Sequence, residues 1–270
     1  MSDESLGGVI TTESGAGSPL ACWARLNARV VDWGQMRDCW FEVDRVPELL
    51  ERVERDDVAD AWKELGWRLV LEHDLVSPAS FAALPRLVRL APRSAEARTL
   101  AGEILGRAAG HHGCDDLLAD CAGALAELRE VLDRHLRSRP ADYLGSFRAL
   151  LAAEEEYHWA AVLGDFKDDF YALACPHCGV EITIAIGDYG RYSAIRDWDL
   201  GDVERRDLRP VTAESLTGTG RWMHETAVRD GQEVLARGIA HLFGDAECPG
   251  CASVFNIAEQ YSADNRPVMR

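Results

Sequence analysis

"DRVPELLERVERDDVADAWKELGWRLVLEHDLVSPASFAALPRLVRLA", residues 44–91, carries the pattern that decides the fold. Leu49, Leu50 and Val53 fall on one side of a helix, and Pro47 suits its first turn, where no N–H donor is needed. Val58, Trp62, Leu65 and Leu69 make a second helical stripe. Ser77 then reads as an N-cap and Pro78 as the first residue of a third helix. Pro85 falls inside that helix, where it is expected to bend the axis.

The same grammar continues outward to about residue 164. "SAEARTLAGEILGRAAG" (94–110) carries Leu100 and Ile104 and closes on Gly110. "DDLLADCAGALAELREVLDRHL" (115–136) reads as one helix presenting Leu118, Cys121, Leu125, Leu128, Leu132 and Leu136. "ADYLGSFRALLAAEEEYHWAAVLG" (141–164) reads as another, with Leu144, Phe147, Leu151 and Val162 inward. None of these helices is apolar all round, so each must bury one face on its neighbours. Stacked antiparallel helix pairs, an α-solenoid, satisfy that requirement most economically.

After residue 170 the period changes. "VEITIAI" alternates Val180, Ile182, Ile184 and Ile186 with polar or small residues, as a half-buried strand does, and "GDYG" follows as a turn. The stretch 196–221 reads as an irregular excursion. "WMHETAVRDGQEVLARGIAHLFG" (222–244) reads as an amphipathic helix with Trp222, Val228, Leu235, Ile239 and Leu242 inward, expected to pack back and cap the last exposed helices. "CPGCASVFNI" closes with a short strand.

Two Cys-Pro-X-Cys runs, Cys175–Cys178 and Cys248–Cys251, dominate the chemistry of this second part. A redox-active CxxC sits at a helix N-terminus, whose dipole stabilises the thiolate. Cys178 precedes a strand pattern instead. Cys-Pro-X-Cys-Gly before a strand is a zinc-knuckle pattern, with Gly179 permitting the tight backbone that turns N–H groups toward sulfur. The second run departs only in Ala252, which replaces the glycine. Two knuckles supply four thiolates, the closed tetrahedral set of a structural Zn2+, with no open position for catalysis. The separation between the runs is long beside the about 15–20 residues of compact zinc ribbons.

The quoted stretch resembles the HEAT/armadillo-like repeat proteins of bacteria. Those carry a Pro-X-Leu-Leu helix (here Pro47 to Leu50), a helix ending near a histidine (His73), and a third helix with Ala79-Ser80 and Ala82-Ala83-Leu84-Pro85. The second part resembles the tail of a related bacterial group, in which one Cys-Pro-X-Cys precedes a strand and Leu242-Phe243-Gly244-Asp245-Ala246 leads into another. The resemblance implies a mainly α, HEAT-like α-solenoid of antiparallel helix pairs with a small zinc-ribbon-like β element at its C-terminal end. The division expected is a leader at 1–20, helical repeats at 21–164 and the split zinc element with its inserted helix at 165–270. HEAT-repeat iron hydroxylases carry several His-Glu pairs; here one occurs, His224-Glu225.

The remaining residues bound the function. Net charge is −17, and the acidity runs through the whole chain, which repels phosphate backbones and suits a basic protein partner. An arginine stripe, Arg191, Arg196, Arg205, Arg206 and Arg209, is the one local exception. Residues 1–20 are acidic and Gly/Ser-rich without the basic start and apolar core of a signal peptide, and no run of about 18 apolar residues exists, so a cytoplasmic protein without a membrane span is expected. His111, His112 and Cys114 read as loop or packing residues before a second metal site. Cys22, Cys39 and Cys121 read as thiols without a disulfide. Asp165, Asp168 and Asp169 lack EF-hand spacing. Glu154, Glu155, Glu156 and His158 stand on one expected helix, where Glu154 and His158 are i, i+4 neighbours. The eight tryptophans read mostly as core. No phosphate-binding glycine loop, nucleophile elbow or HExxH motif is present. The expected function is therefore a non-enzymatic protein-binding adaptor, of which a toxin-neutralising immunity protein is one version. The alternative is an enzyme with a small-molecule pocket on the concave face, drawing on Glu154, His158 or His111.

Overall fold

The computed structural model describes residues 31–56, 58–71, 75–108, 115–166, 170–195 and 204–265. The leader, Cys22, His111, His112, Cys114, Asp168, Asp169 and Arg196 lie outside them. The first helices follow their apolar stripes. Helix α1 (Arg45–Asp56) buries Val46, Leu49, Leu50 and Val53, and α2 (Ala59–Leu69) buries Ala61, Trp62, Leu65 and Leu69. A two-residue ladder, β1 (Val70–Leu71) with β2 (Leu75–Val76), turns the chain. Helix α3 (Pro78–Leu90) begins as its sequence demands: Ser77 accepts from the Ser80 amide while the Ser80 side chain accepts from the Ser77 amide. This reciprocal box satisfies two otherwise orphaned donors. The helix runs on through Pro85 without a break.

Helix α4 (Ala95–Ala108) follows, then α5 (Asp115–Asp120), α6 (Ala122–Arg137), α7 (Tyr143–Ala153) and α8 (Tyr157–Val162). Consecutive helices pair, α1 with α2, α3 with α4 and α6 with α7. Across the pairs α1 meets α3 and α3 meets α6, while α2 meets α4 and α4 meets α7. The α4–α7 crossing is close enough that a Cβ at Gly102 would stand 2.4 Å from that of Ala149.

Two expected single helices are broken. The 115–136 segment divides at Cys121, whose ψ of 0° leaves the helical region. The 141–164 segment divides at Glu154–Glu156, where Glu155 takes φ 65°. Good helix formers sit there, and tertiary packing overrides them: Arg129 of α6 reaches over to donate to the Ala153 carbonyl and to Glu155.

The second part is an antiparallel sheet in the order β3 (Phe170–Ala174), β4 (Glu181–Gly187), β5 (Gly190–Ala194), β6 (Arg206–Asp207). Strand β4 is buried on both faces from Ile182 to Ile186, and not half-buried as its alternation suggests. Ile182, Ile184 and Ile186 join the main core, and Ala185 packs with Tyr192, Ala194 and Phe170 on the other side. The expected helix over 222–243 is a helical hairpin, α9 (Gly218–Arg229) and α10 (Glu233–Leu242), turned by Gly231 at φ 71°. Val228, read as apolar-inward, is exposed. The hairpin does pack against the earlier helices: Trp222 stacks on Phe147 at 5.8 Å, and Tyr143 donates to Asp230 at 2.8 Å. Gly238 is required by proximity, since a Cβ there would lie 2.1 Å from the Phe166 ring. A last hairpin, β7 (Asp245–Glu247) and β8 (Val254–Asn256), leads into α11 (Ile257–Asp264). The described chain is thus mainly helical with a small antiparallel sheet. Among the described residues no helix is long and apolar enough to cross a membrane.

Candidate metal centre

Each Cys-Pro-X-Cys run closes a β-hairpin, one between β3 and β4 and the other between β7 and β8. The two turns share their main-chain bonding. The Cys175 amide donates to the Val180 carbonyl at 2.8 Å and the Gly179 amide to the Cys175 carbonyl at 2.9 Å. The equivalent bonds in the second turn are Cys248 to Ser253 at 2.9 Å and Ala252 to Cys248 at 2.8 Å. Gly179 takes φ 75° and Ala252 takes φ 58°, so alanine occupies a left-handed position where glycine is the unstrained choice.

The same curl aims amides at sulfur. His177 N–H donates to Cys175 Sγ at 3.4 Å, and the Gly250 N–H reaches Cys248 Sγ in the corresponding place. Val180 N–H serves Cys178 and Ser253 N–H serves Cys251. Clamps outside the turns hold them in place. The Ala174 amide donates to Asp264 of α11 at 2.8 Å, and Ser193 Oγ of β5 donates to the Glu247 carbonyl at 2.6 Å. An isolated bridge between Arg209 and Asp245 joins the last hairpin to the chain beyond β6.

The result is that all four sulfurs lie within 4.8 Å of one another. Cys175 and Cys251 are 3.8 Å apart, and Cys178 and Cys248 are 3.7 Å apart. A tetrahedron with Zn–S bonds of about 2.3 Å has edges of about 3.8 Å, whereas a disulfide requires about 2.05 Å. The donor set also fits a cation chemically. Four thiols this close cannot all ionise without a positive charge among them. Burial pushes Cys248 up to about 12, while hydrogen bonds from Ser253 hold the outer Cys251 at about 6. Cys175 and Cys248 are buried and Cys178 and Cys251 exposed, so the cluster sits at the surface with two sulfurs inward. The arrangement is compatible with a zinc site. Comparison with protein-family models, curated proteins and solved structures returns no match.

The other candidates do not converge. Glu154 pairs with Arg129 at 3.6 Å, and across the break His158 Nε2 bonds Ser262 Oγ at 2.9 Å, so these i, i+4 neighbours do not form a carboxylate–imidazole pair. Cys121 is buried, its thiol pushed up to about 11 by desolvation and then Asp120, and it faces the Phe81 carbonyl at 3.7 Å. Burial likewise raises Cys39. The arginine stripe is partly neutralised: Arg209 pairs with Glu247 at 2.8 Å, Arg206 with Glu204 and Glu247, and Arg205 lies over the Tyr192 ring.

The sequence reading missed a surface feature. Trp40, Phe41 and Trp67 are exposed by 58%, 77% and 59%, although tryptophans were expected in the core. The buried Asp38 carboxylate accepts from the Trp40 and Glu42 amides at 2.8 and 2.9 Å and from Arg68 at 2.8 Å. That tight loop presents Phe41 at φ 66°. Trp40 Nε1 donates to the Trp67 main-chain carbonyl at 3.2 Å, which ties the Trp40 indole to the last turn of α2. The signal available was Asp38 two residues before an aromatic pair, an Asx-type turn.

Proposed function

We propose that the protein is a non-enzymatic, HEAT-like adaptor that grips a basic protein partner, with its C-terminal element held by a structural zinc ion on Cys175, Cys178, Cys248 and Cys251. The observation that carries the binding role is the exposed Trp40–Phe41–Trp67 platform. It is strained at Phe41, and Asp60 stands exposed on the Trp67 side of α2, whereas Glu64 is already paired with Arg45 and Arg68. Exposed aromatic clusters of this kind serve as hot spots, and strain held by surrounding bonds points to use. Lys63 already lies over the Trp67 ring at 5.0 Å, and the exposed rings of Trp40 and Phe41 suit the arginine or lysine side chains of a partner, which stack on aromatic faces. A chain of net charge −17 steers such a partner from a distance.

The alternating contacts α1–α3–α6 and α2–α4–α7 support a two-layer stack of the described helices within 21–164. The α9–α10 hairpin covers its last pair, and the shared turn geometry supports reading 165–270 as a split zinc ribbon. The test has two independent arms. Metal analysis of the purified chain should give one zinc per chain, lost in Cys248→Ser. Immobilised chain should capture a basic protein from its own cell extract, with capture weakened by salt and abolished in Trp67→Ala and Phe41→Ala. Salt-insensitive capture that persists in both variants rejects the charge-steered aromatic platform.

A further inference from the structure

Helices α8 and α11 bring a histidine and a serine together at the edge of a cleft. Ser262 Oγ stands 2.9 Å from His158 Nε2, a bond between residues 104 positions apart. A helical serine commonly turns its hydroxyl onto a carbonyl of its own preceding turn. Ser262 meets an imidazole of another helix instead. Their separation lies within the range, about 2.6–3.2 Å, over which a base can take the proton of a nucleophile. With the ring proton on Nδ1, Nε2 accepts and the hydroxyl donates. Packing holds the ring in place, edge-on to Trp159 at 4.8 Å and tilted against Tyr261 at 6.2 Å. Burial lowers its pKa against the opposing charge of Glu156, whose carboxylate accepts from Thr219 at 2.7 Å. The imidazole is therefore neutral at pH 7 and keeps its lone pair.

Ser262 lines a cleft of about 690 Å³ that α8 and α11 share with residues 211–217 ahead of α9, within the size range of small-ligand sites. Trp159 and Phe243, with ring centroids 4.6 Å apart, build its wall together with Leu216 and Ala258. Two of the polar side chains there are already bonded, Ser215 to Thr212 and Asn256 to the Phe243 carbonyl and the Glu259 amide. Among the described residues no lysine or arginine lines the cleft, whereas the Glu259 carboxylate does. A wall of that kind takes an apolar chain and repels an anionic one.

We infer that Ser262 is a nucleophile, with His158 as its base, that accepts an acyl group from an uncharged ester whose apolar chain lies on Trp159 and Phe243. Oγ bonds the acyl carbon as the ester C–O bond breaks, and the serine proton passes through Nε2 to the departing alkoxide. Acylation of one serine is stoichiometric and asks no turnover of the adaptor. An alkyl fluorophosphonate tests the same attack in a form that persists: an Oγ–P bond replaces P–F, and fluoride leaves. Mass-spectrometric peptide mapping of the labelled full chain should find the adduct on Ser262 and not on the exposed Ser215. The ester para-nitrophenyl butyrate should release a burst of roughly one nitrophenolate per chain. Its anionic succinyl analogue should react at least about tenfold more slowly. His158→Gln keeps a hydrogen-bonding group but no base, so it should slow both reactions at least about a hundredfold, and Ser262→Ala should abolish them. An unlabelled Ser262 in the wild-type chain, equal labelling of Ser215, no burst from the butyrate ester, parity of the two esters, or rates unchanged in His158→Gln overturns the inference.

Discussion

Replacing Tyr143 by Phe tests how the α9–α10 hairpin is fastened to the first helices. Tyr143 Oη donates to Asp230 Oδ2 at 2.8 Å, and Asp230 is 3% exposed. Arg229 donates to both oxygens of the same carboxylate at 2.7 and 2.8 Å and also reaches Asp133 of α6 at 2.8 Å. A hydrogen bond to a charged group contributes about 1.5–3 kcal/mol. Because Arg229 remains in place, the variant should sit near the low end, about 1.5 kcal/mol, or roughly 3–6 °C in melting temperature for a chain of this size. The ring itself is retained, so its 5.9 Å stack on Phe147 should survive. Urea denaturation of Tyr143→Phe, Asp230→Asn and the double variant measures the term directly. The cycle should show a coupling of about 1 kcal/mol, since the two groups touch. A cost under about 0.5 kcal/mol, or additivity within about 0.3 kcal/mol, refutes the fastening. The pH dependence carries a definite sign. Burial raises the Asp230 pKa, but hydrogen bonds from Arg229 and Tyr143 outweigh it and hold the group below its ordinary value. Its contribution is therefore present above the unfolded pKa of about 3.9 and is lost as pH falls through the folded value.

Glu64 should shape the acid limb of the stability curve: hydrogen bonds from Arg45 outweigh burial and, with Arg68, hold it at about 2. Its stabilising effect is present above its ordinary 4.5 and disappears as pH falls toward 2, so Glu64→Gln should flatten that limb in acid titration followed by circular dichroism. Superimposable wild-type and variant curves would discard the assignment. Ala252→Gly should stabilise the metal-loaded protein by about 0.5–1 kcal/mol and Gly179→Ala should destabilise it similarly, because both positions are left-handed. Shifts of the same sign in urea midpoints contradict the shared turn geometry. Gly238→Ala should cost about 1–3 kcal/mol by driving a methyl into the Phe166 ring, and Phe166→Leu in the same chain should recover part of it.

What the sequence disclosed follows from how far each cause reaches along the chain. The start of α3 was legible because Ser77, Pro78 and Ser80 settle it among themselves. The half-sites were legible for the same reason, each being a turn of four residues whose spacing alone curls two sulfurs together. That these half-sites meet depended on distant partners such as Asp264 and Ser193, and only symmetry of form hinted at it. The break at Glu155 was hidden, since three glutamates favour a helix and the arginine that stops it comes from α6. Strand β4 looked half-buried because Thr183 and Ala185 are small or polar, yet a second small core covers them. Trp67 lies two residues from both Leu65 and Leu69, about 200° round the helix from the buried stripe, and stands outside with Lys63 over its ring at 5.0 Å.

The near-identity of the two cysteine turns has a consequence for handling the molecule. A half-site recognises its complement by shape and sulfur placement, and the half-sites of a neighbouring chain offer the same features. With zinc held on the four cysteines as proposed, concentrated metal-free protein given zinc abruptly should therefore concatenate, two chains sharing ions in trans. Dilute reconstitution should favour the closed monomer, because only within one polypeptide do the α9–α10 hairpin and its seat on α7 hold the second turn within reach of the first.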